Sequence, residues 1–347
     1  MITTEAKGLR ELGTSIFVAM GSEKKNAELV AETLTEANLT GHDSHGVWYY
    51  PVYSQRIKDG WIKPHEHPRI VKETAASAYI DGHWGFGQST AMLMMETAVK
   101  KARETMVAAV GAYNCNHIGR LGFYTDWAAR NNIIAMMFAN VGNPLVAGFH
   151  STKRTFGTNP VSISAPTQDG VFLMDYATSL VAMGKVNVAR AKHLKIPISW
   201  SRDKDGKPTE DPNAVSQGGW LMPFGEHKGY GLQMVSELLG AVLTGSRASM
   251  DGDKGPPSPN GVFCVTVNPE AFVGLNRFKE KTSEVIRVIK SRPSEPGEEV
   301  LVPGDPERIS KEKRLREGIP LPEETWSQIV KLCNEIGIDA SIAVKVS

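Results

Sequence analysis

The chain has 347 residues, of which 41% are hydrophobic and 22% are charged, as in a globular protein of one large or two medium domains. The formal net charge of +1 excludes strong electrostatic capture of nucleic acid or of an anionic membrane. Three cysteines without a CxxC pair argue against a disulfide framework or structural zinc. The longest apolar run, residues 232–243, is interrupted by polar residues, and the N-terminus lacks a signal-type apolar core. We therefore expect a soluble, cytoplasmic protein.

The first part of the chain is predicted to be helical. Apolar residues recur at helical spacing over residues 5–20 and 22–39, with Ser22 as the expected N-cap of the second helix. A third helix is predicted from His45 towards Lys58, because Asp59-Gly60 is a helix-terminating signal.

Strands and helices alternate in the middle of the chain. We predict strands over residues 69–81 (as a hairpin), 107–112 and 133–140. We also predict a helix over residues 88–104 and a second helix that follows the 114–122 segment and ends at about residue 130. This β–loop–α–β order with short connections is typical of an α/β layer. His117 falls in the loop after a strand, and ligands gather at the carboxyl ends of strands in such layers.

The second half continues the pattern with more loop. We predict a strand pair at 161–165 and 171–176, a helix that opens at 175–179, and a long surface excursion over 192–223. A very apolar helix is predicted to begin at 225–231 and to end at about residue 243, followed by a strand at 261–268 and helix over most of 269–289. The chain then has a predicted turn at 301–307 and a final helix at 323–336. Thr178 or Ser179 is the expected cap of the helix that opens there. Helix N-termini of this kind suit phosphate or carboxylate groups.

The densest group of titratable side chains lies in residues 41–46, Gly-His-Asp-Ser-His-Gly. Histidine has an ordinary pKa near neutrality and can both give and take a proton there. The simpler alternative is a helix N-terminus, with Asp43 or Ser44 as N-cap and the histidines in solvent. Three further clusters beside predicted helix starts pair His117 with Arg120, Asp175 with Thr178 and Ser179, and His227 with Lys228.

The usual cofactor and catalytic motifs are absent. No strand is followed by GxGxxG, and the chain has no P-loop, HExxH or GxSxG motif. Cys115 lies two residues before His117 and is therefore a candidate thiol nucleophile, but a small buried apolar residue at a strand end is the more common situation. No pair of histidines has metal-ligand spacing on one helix; ligation of a metal by His42 and His45 from a loop is the minor alternative, and no metal is assigned. The clusters alone do not decide whether the chain is a dehydrogenase, a lyase or an acyl-transfer enzyme.

Taken together, these clusters resemble the malate/L-lactate dehydrogenase family of non-Rossmann oxidoreductases, and most closely its hydroxycarboxylate dehydrogenase B branch. The likeness covers nearly the whole chain, and the motifs occur in the family's order. They are residues 41–46, 116–120, 157–160, 175–179 with 184–185, 227–231, 303–307 and 318–321.

The resemblance implies an α/β fold of the malate/L-lactate dehydrogenase type, with a mixed sheet flanked by helices and an N-terminal helical segment. Residues 1–347 are expected to form one unit, in which an α/β core over 69–301 binds cofactor and substrate between helical parts at 1–68 and 302–347. It also implies a homodimer with its active site at the subunit interface. The implied reaction interconverts a 2-oxo acid and a 2-hydroxy acid with NAD or NADP as cofactor.

The resemblance assigns roles to individual residues. The catalytic candidates are Ser44, His45 and His117. The cofactor-binding candidates are His45, Gly119, Arg120, Leu121, Asp175, Tyr176, Ala177, Thr178, Ser179, His227, Lys228, Gly304, Asp305, Pro306 and Glu307. The substrate-binding candidates are Tyr49, Arg56, Arg120 and Thr158.

One position departs from many members of the family. Five residues after the serine they carry an arginine that can hold a substrate carboxylate, whereas this chain has Tyr49. Malate is therefore disfavoured relative to a bulkier or aromatic 2-oxo acid, and Arg56 and Arg120 are the candidates for the missing cation. The alternatives are a reductase of cyclic imines such as piperideine or pyrroline carboxylates, a non-catalytic binding protein on the same scaffold, and a metal-dependent lyase. The sequence leaves the choice between NAD and NADP open, since the ribose rule belongs to the Rossmann motif.

Overall fold

The protein was analysed as a computed structural model that describes residues 1–191, 193–252, 255 and 259–344. Its helices are α1 Ala6–Ala19, α2 Lys24–Leu39, α3 Tyr49–Lys58, α4 Gly87–Thr105, α5 Gly122–Arg130, α6 Met183–Ala191, α7 His227–Glu237, α8 Leu275–Lys290, α9 Asp305–Glu317 and α10 Glu323–Ile336. None of the described helices is long and apolar enough to cross a membrane.

The strands form three sheets. They are β1 Ile2–Thr4, β2 Arg69–Glu73, β3 Ser77–Asp81, β4 Val107–Cys115, β5 Ile134–Val141, β6 Val146–Ala147, β7 Arg154–Phe156, β8 Val161–Pro166, β9 Val171–Tyr176, β10 Ser201–Arg202, β11 Pro208–Thr209, β12 Trp220–Leu221, β13 Asn260–Val267 and β14 Ile319–Leu321. The expected hairpin at 69–81 and the strand pair at 161–176 are both present.

A mixed seven-stranded sheet forms the centre of the protein, with strand order β2-β3-β4-β13-β5-β8-β9. Its one parallel pair is β3 and β4, which α4 connects. Helix α5 connects β4 to β5, but β13 inserts between these two strands and runs antiparallel to both. This mixed sheet with flanking helices confirms the predicted α/β class.

The largest core cluster lies between α4, α5 and this sheet. In α4 the apolar residues repeat at helical spacing, and Met94, Met95 and Ala98 are fully buried core residues. Cys115 and Cys264 lie in the same cluster. A rigid apolar layer therefore supports the carboxyl end of β4, where His117 follows.

A second core cluster joins the two ends of the chain. Helices α1, α2 and α3 pack with α10, and β1 pairs antiparallel with β14. Helices α2 and α10 follow the predicted segments closely, but the N-cap of α2 is Glu23 and makes no side-chain cap hydrogen bond. The expectation that Ser22 caps α2 was wrong: its hydroxyl donates to the Glu23 carbonyl instead.

The prediction of a surface excursion over residues 192–223 was incomplete. This stretch supplies β10, β11 and β12 to a five-stranded sheet with order β11-β10-β12-β6-β7. Trp220 and Leu221 are buried, and Leu221 packs with Val146 and Val186 in a third apolar cluster. The many turn residues mark the connections correctly, but they conceal short strands, of which β10 pairs with β11 and β12 within the stretch and β12 also pairs with the distant β6.

Candidate active site

The 41–46 loop is built by the end of α2. Gly41 has φ of +84°, a left-handed conformation that suits glycine, and a 3₁₀ turn follows over Asp43–His45. The buried Asn38 side chain donates to Asp43 Oδ1 at 2.6 Å and accepts from the Val47 N–H at 2.8 Å. Helix α3 begins only at Tyr49 and has no side-chain cap. The alternative in which Asp43 or Ser44 caps this helix is therefore wrong.

The structure brings the three catalytic candidates together. His45 and His117 face each other with ring centroids 5.7 Å apart and planes inclined by 22°. Ser44 Oγ lies 3.1 Å from His45 Nδ1. Tyr49 stacks on His117 with centroids 4.6 Å apart. The arrangement brings two imidazoles, a phenol ring and a hydroxyl together, and we call the region beside these four side chains the cleft.

Asparagine side chains fix the loop that carries His117. Asn116 Nδ2 lies within 3.1 Å of the Trp61, Trp84 and Gly85 carbonyls, and Asn260 Oδ1 accepts from the Ile118 N–H at 3.0 Å. Both asparagines are buried. These contacts hold the loop against β13 and the segment before α4, which leaves the imidazole little freedom to move.

His117 also has a side-chain partner. Tyr53 Oη lies 2.7 Å from His117 Nδ1, and Gln88 Nε2 donates to Tyr53 Oη at 2.9 Å. All three side chains are buried. Sequence analysis missed Tyr53 and Gln88 because neither lies in a loop cluster; the helical spacing of Tyr49 and Tyr53 on α3 was the available signal.

Both imidazoles are held in the neutral form. Burial, followed by the nearby His42, lowers the pKa of His45 from 6.5 to about 4. Burial, followed by the neighbouring charges of His45 and Arg56, lowers the pKa of His117 well below its ordinary value. Burial raises the pKa of Tyr49 to about 12, so its hydroxyl keeps its proton. Paired titratable groups with strongly shifted pKa values are typical of active sites.

Arg120 is held in a buried ion pair. Its Nε donates to Asp175 Oδ2 at 2.9 Å and its Nη1 donates to Thr40 Oγ1 at 2.9 Å. The Gly122 N–H donates to the same Asp175 oxygen at 2.9 Å. The Arg120 and Asp175 side chains are 5% and 6% exposed, so solvent screens the pair little. Arg120 Nη2 is buried without a hydrogen-bond partner among the described residues.

Arg56 is the second cation near the histidines. It lies on α3, one helical turn beyond Tyr53, and its charge lowers the pKa of both His117 and Tyr49. Its Nη1 is buried and has no hydrogen-bond partner in the described part of the chain. A buried guanidinium nitrogen without a partner costs free energy, which a bound anion would recover.

The segment after β9 packs against the 157–160 turn rather than opening a helix. The Thr178 hydroxyl donates to the carbonyls of Thr158 and Asn159, both at 2.9 Å, and the Ser179 hydroxyl donates to the Val181 carbonyl at 2.8 Å. Helix α6 begins only at Met183. The expectation that Thr178 or Ser179 caps a helix was therefore wrong.

Helix α6 approaches the catalytic loop through a glycine. A Cβ atom added to Gly184 would lie 2.4 Å from Ser44 Cβ, far inside van der Waals contact. Only glycine therefore fits at this position without displacing Ser44. The first turn of α6 thus closes one side of the cleft.

Within residues 304–307, Glu307 contacts the 41–46 loop that carries Ser44 and His45. Glu307 Oε1 lies 3.0 Å from His42 Nε2. Burial favours a higher pKa of Glu307, but its hydrogen bonds and the nearby charges of His42 and Arg120 together lower the pKa. Asp305 instead pairs with Lys290 and Arg308, away from the histidines. The predicted turn at 301–307 is followed at once by α9, for which Gly304 is the left-handed N-cap with φ of +99°.

His227 and Lys228 are exposed at the start of α7. The nearby Phe224 N–H donates to the Thr178 carbonyl, and Tyr176 contacts the Phe224 ring. These contacts bring the start of α7 beside the 176–179 segment. No hydrogen bond within the described residues joins His227 or Lys228 to the histidine cleft.

Two alternatives find no support in the geometry. Cys115 is buried, and burial raises the pKa of its thiol to about 12, so it is not an activated nucleophile. Among the residues that the structure describes, no three His, Cys, Asp or Glu side chains are grouped as metal ligands.

Comparison with known proteins gives a consistent result. The profile of the malate/L-lactate dehydrogenase family matches residues 4–330. Hydroxycarboxylate dehydrogenase B of Escherichia coli K12 is 35% identical over 342 residues, covering 96% of this chain and 94% of that protein. L-sulfolactate dehydrogenase of Methanocaldococcus jannaschii is also 35% identical, over 333 residues, covering 95% of this chain and 96% of that protein.

Solved structures show the same likeness. The sulfolactate dehydrogenase from Methanocaldococcus jannaschii superimposes with a TM-score of 0.92 at 33% identity, covering 99% of this chain and all (100%) of that one. The Δ1-piperideine-2-carboxylate reductase from Pseudomonas syringae has a TM-score of 0.87 at 28% identity, covering 96% of this chain and 100% of that one. The chain therefore belongs to the malate/L-lactate dehydrogenase family, and the oxidoreductase class that its loop motifs indicate is confirmed.

Proposed function

We propose that this dehydrogenase interconverts a 2-oxo acid and its 2-hydroxy acid with NAD or NADP, using Ser44, His45 and His117 as catalytic residues. The observation that carries the proposal is the cleft in which two neutral imidazoles face each other beside an unpartnered guanidinium nitrogen. The imidazoles suit proton exchange with the substrate oxygen, and the guanidinium suits its carboxylate.

Arg56 is the proposed carboxylate anchor. Its Nη1 has no partner among the described residues, and its charge reaches both His117 and Tyr49. Arg120 is less suited to this role because Asp175 and Thr40 already occupy two of its nitrogens. A charge-assisted hydrogen bond to Arg56 is worth about 1.5–3 kcal/mol, which corresponds to about 10- to 100-fold in substrate affinity.

The substrate itself adjusts the acid–base chemistry. In the free protein, burial keeps both histidines neutral. A carboxylate bound beside them favours the protonated imidazole and so raises its pKa towards the working pH. A bound 2-oxo acid thereby promotes the protonated imidazole, which can donate a proton to the carbonyl oxygen of that substrate. Ser44 is hydrogen-bonded to His45 Nδ1 and orients this ring. In the reverse reaction neutral His45 is the proposed base.

The residues around the cleft fit a nicotinamide dinucleotide. When bound, nicotinamide supplies or accepts the hydride at the substrate carbon. We assign its contacts to residues 119–121, to the Asp175–Ser179 segment, to His227 and Lys228 at the N-terminus of α7, and to residues 304–307. The buried, unpartnered Arg120 Nη2 and the free N–H groups of a helix N-terminus are suitable donors for phosphate oxygens.

Aromatic side chains shape the proposed substrate pocket. Tyr49 stacks on His117 and contacts Trp48, whose ring lies 4.2 Å away between centroids. This wall is aromatic where many members of the family carry an arginine, so we propose that a bulky or aromatic 2-oxo acid is preferred over oxaloacetate. The variant Tyr49→Arg should shift the ratio of kcat/KM values towards oxaloacetate by about 10-fold or more.

The test follows oxidation of NADH and of NADPH with pyruvate, oxaloacetate, phenylpyruvate and hydroxyphenylpyruvate, and then with cyclic imines. We expect turnover of at least one 2-oxo acid, with kcat reduced about 10²- to 10⁴-fold in His117→Ala. Arg56→Met should raise KM for the oxo acid and leave cofactor affinity unchanged. Arg130→Met, which removes a surface ion pair with Asp126, is the control for loss of one arginine. Turnover of cyclic imines alone would contradict the proposal.

We also propose that the chain acts as a single unit and as a homodimer. A shared apolar core links its N-terminal and C-terminal helices, which supports the single unit. Helix α7 and the π-helical turn Leu238–Val242 expose a contiguous apolar face that includes Met234, Leu238, Val242 and Leu243. Faces of this kind commonly mark subunit interfaces. A second copy is the proposed occupant, and light scattering tests it.

A further inference from the structure

The Tyr53 hydroxyl lies between two polar side chains inside the wall of the cleft. Gln88 Nε2 donates to it at 2.9 Å, and on the other side it lies 2.7 Å from His117 Nδ1. Gln88 and Tyr53 are 0% and 1% exposed, so bulk water does not compete for these groups. The three side chains form a short, dry hydrogen-bond chain.

The direction of this chain follows from counting hydrogens. A tyrosine hydroxyl carries one hydrogen, and here its oxygen already accepts one from Gln88. Its own hydrogen is then directed to His117 Nδ1, since the other acceptor recorded for it among the described residues, the His117 carbonyl, is more distant at 3.4 Å. Nδ1 is therefore the acceptor. In a neutral imidazole the ring hydrogen must then be on Nε2.

We propose that Gln88 and Tyr53 are positioning residues that hold neutral His117 as its Nε2–H tautomer, so that the ring presents a hydrogen-bond donor to the substrate oxygen. The inference rests on the proposed catalytic role of His117. Nε2 has no hydrogen-bond partner in the described ranges, so it is available to a ligand. The opposite tautomer would present a lone pair to the oxygen lone pairs of a carbonyl, and that contact is repulsive.

The first test reads the tautomer directly, without turnover. Nitrogen NMR of ¹⁵N-histidine-labelled enzyme distinguishes protonated from unprotonated ring nitrogens, and the spectrum of His117→Asn identifies the His117 signals. We expect a protonated Nε2 and an unprotonated Nδ1 at neutral pH. A protonated Nδ1 would overturn the inference, because it would mean that Tyr53 accepts from His117. This result is independent of whether the enzyme reduces a 2-oxo acid.

The second test removes the hydroxyl that selects the tautomer. Tyr53→Phe should give a mixture of both tautomers and lower kcat about 10- to 100-fold, with the KM for the cofactor unchanged. Tyr124→Phe is the matched control: the buried Tyr124 donates to the Ile118 carbonyl at 2.6 Å, in the same loop, and has no hydrogen bond to His117 within the described residues. It should leave the tautomer and kcat within about twofold of the original values.

Gln88→Leu provides an independent variant. Without the amide donor the Tyr53 hydroxyl is free to accept, and a fraction of His117 should shift to the Nδ1–H form. If Tyr53→Phe or Gln88→Leu keeps the single original tautomer, or if Tyr124→Phe changes it equally, the positioning role is refuted. If both variants fail to fold, the spectrum of the unchanged enzyme still decides the direction of the hydrogen-bond chain.

Discussion

The buried Arg120–Asp175 pair allows a prediction in which single and double substitutions act in opposite directions. Asp175 accepts from Arg120 Nε and from the Gly122 N–H, both at 2.9 Å, and both charged side chains are almost fully shielded from water. Asp175→Ala leaves a buried guanidinium without its counter-charge. The double substitution Arg120→Met with Asp175→Leu removes both charges and keeps most of the volume.

The expected magnitudes follow from desolvation. Breaking a buried pair by removing one partner costs about 3–5 kcal/mol of unfolding free energy, whereas replacing both partners by apolar residues of similar volume is often neutral or stabilising. A screened surface pair would cost only about 0–1 kcal/mol. We therefore expect Asp175→Ala to be strongly destabilised and the double variant to recover most of that loss. Both should lose cofactor binding, because the proposed phosphate-contacting cation is displaced or absent.

Urea unfolding followed by tryptophan fluorescence measures the free energies, and fluorescence titration with NADH measures binding. Lys195→Met, which breaks an exposed pair with Glu210, is the matched control and should change stability by less than about 1 kcal/mol. A loss below about 1 kcal/mol in Asp175→Ala would refute the reasoning, since the pair would then behave as if it were screened. A double variant less stable than Asp175→Ala would refute it equally.

Three further predictions concern the proton chemistry, the packing of the cleft and the assembly. In the oxidation direction, neutral His45 must accept the proton from the 2-hydroxy acid. Because the pKa of His45 is lowered from 6.5 to about 4, kcat/KM should stay level as the pH falls through 6.5 and should decrease only near pH 4. A decrease in kcat/KM near pH 6.5 would contradict this prediction. Gly184→Ala should lower kcat far more than thermal stability, because its Cβ would displace Ser44; an unchanged kcat in steady-state assays would show that α6 yields instead. Leu238→Glu, on the exposed face of α7, should convert a dimer to a monomer in light scattering, and a dimer that persists would exclude this face as the interface.

The sequence by itself determined the elements whose signals are local. Helix α10 spans Glu323–Ile336, as its amphipathic pattern predicts, because amphipathic periodicity depends on residues within a few positions. The polar loop motifs identified the family for the same reason: each is a short run in which spacing itself is informative. Ser44, His45 and His117 were selected in this way, and the structure brings them into one cleft.

Only the tertiary structure decided which side chains meet. Strand β13 lies between β4 and β5 although it follows them by more than a hundred residues, and it supplies the Asn260 that fixes the His117 loop. Thr178 looked like a helix cap because its local context allows one, but the distant 157–160 turn offers its hydroxyl two carbonyls instead. The Tyr53–His117 contact likewise joins residues 64 positions apart. Such partners depend on how strands are ordered and helices packed, which local propensity does not encode.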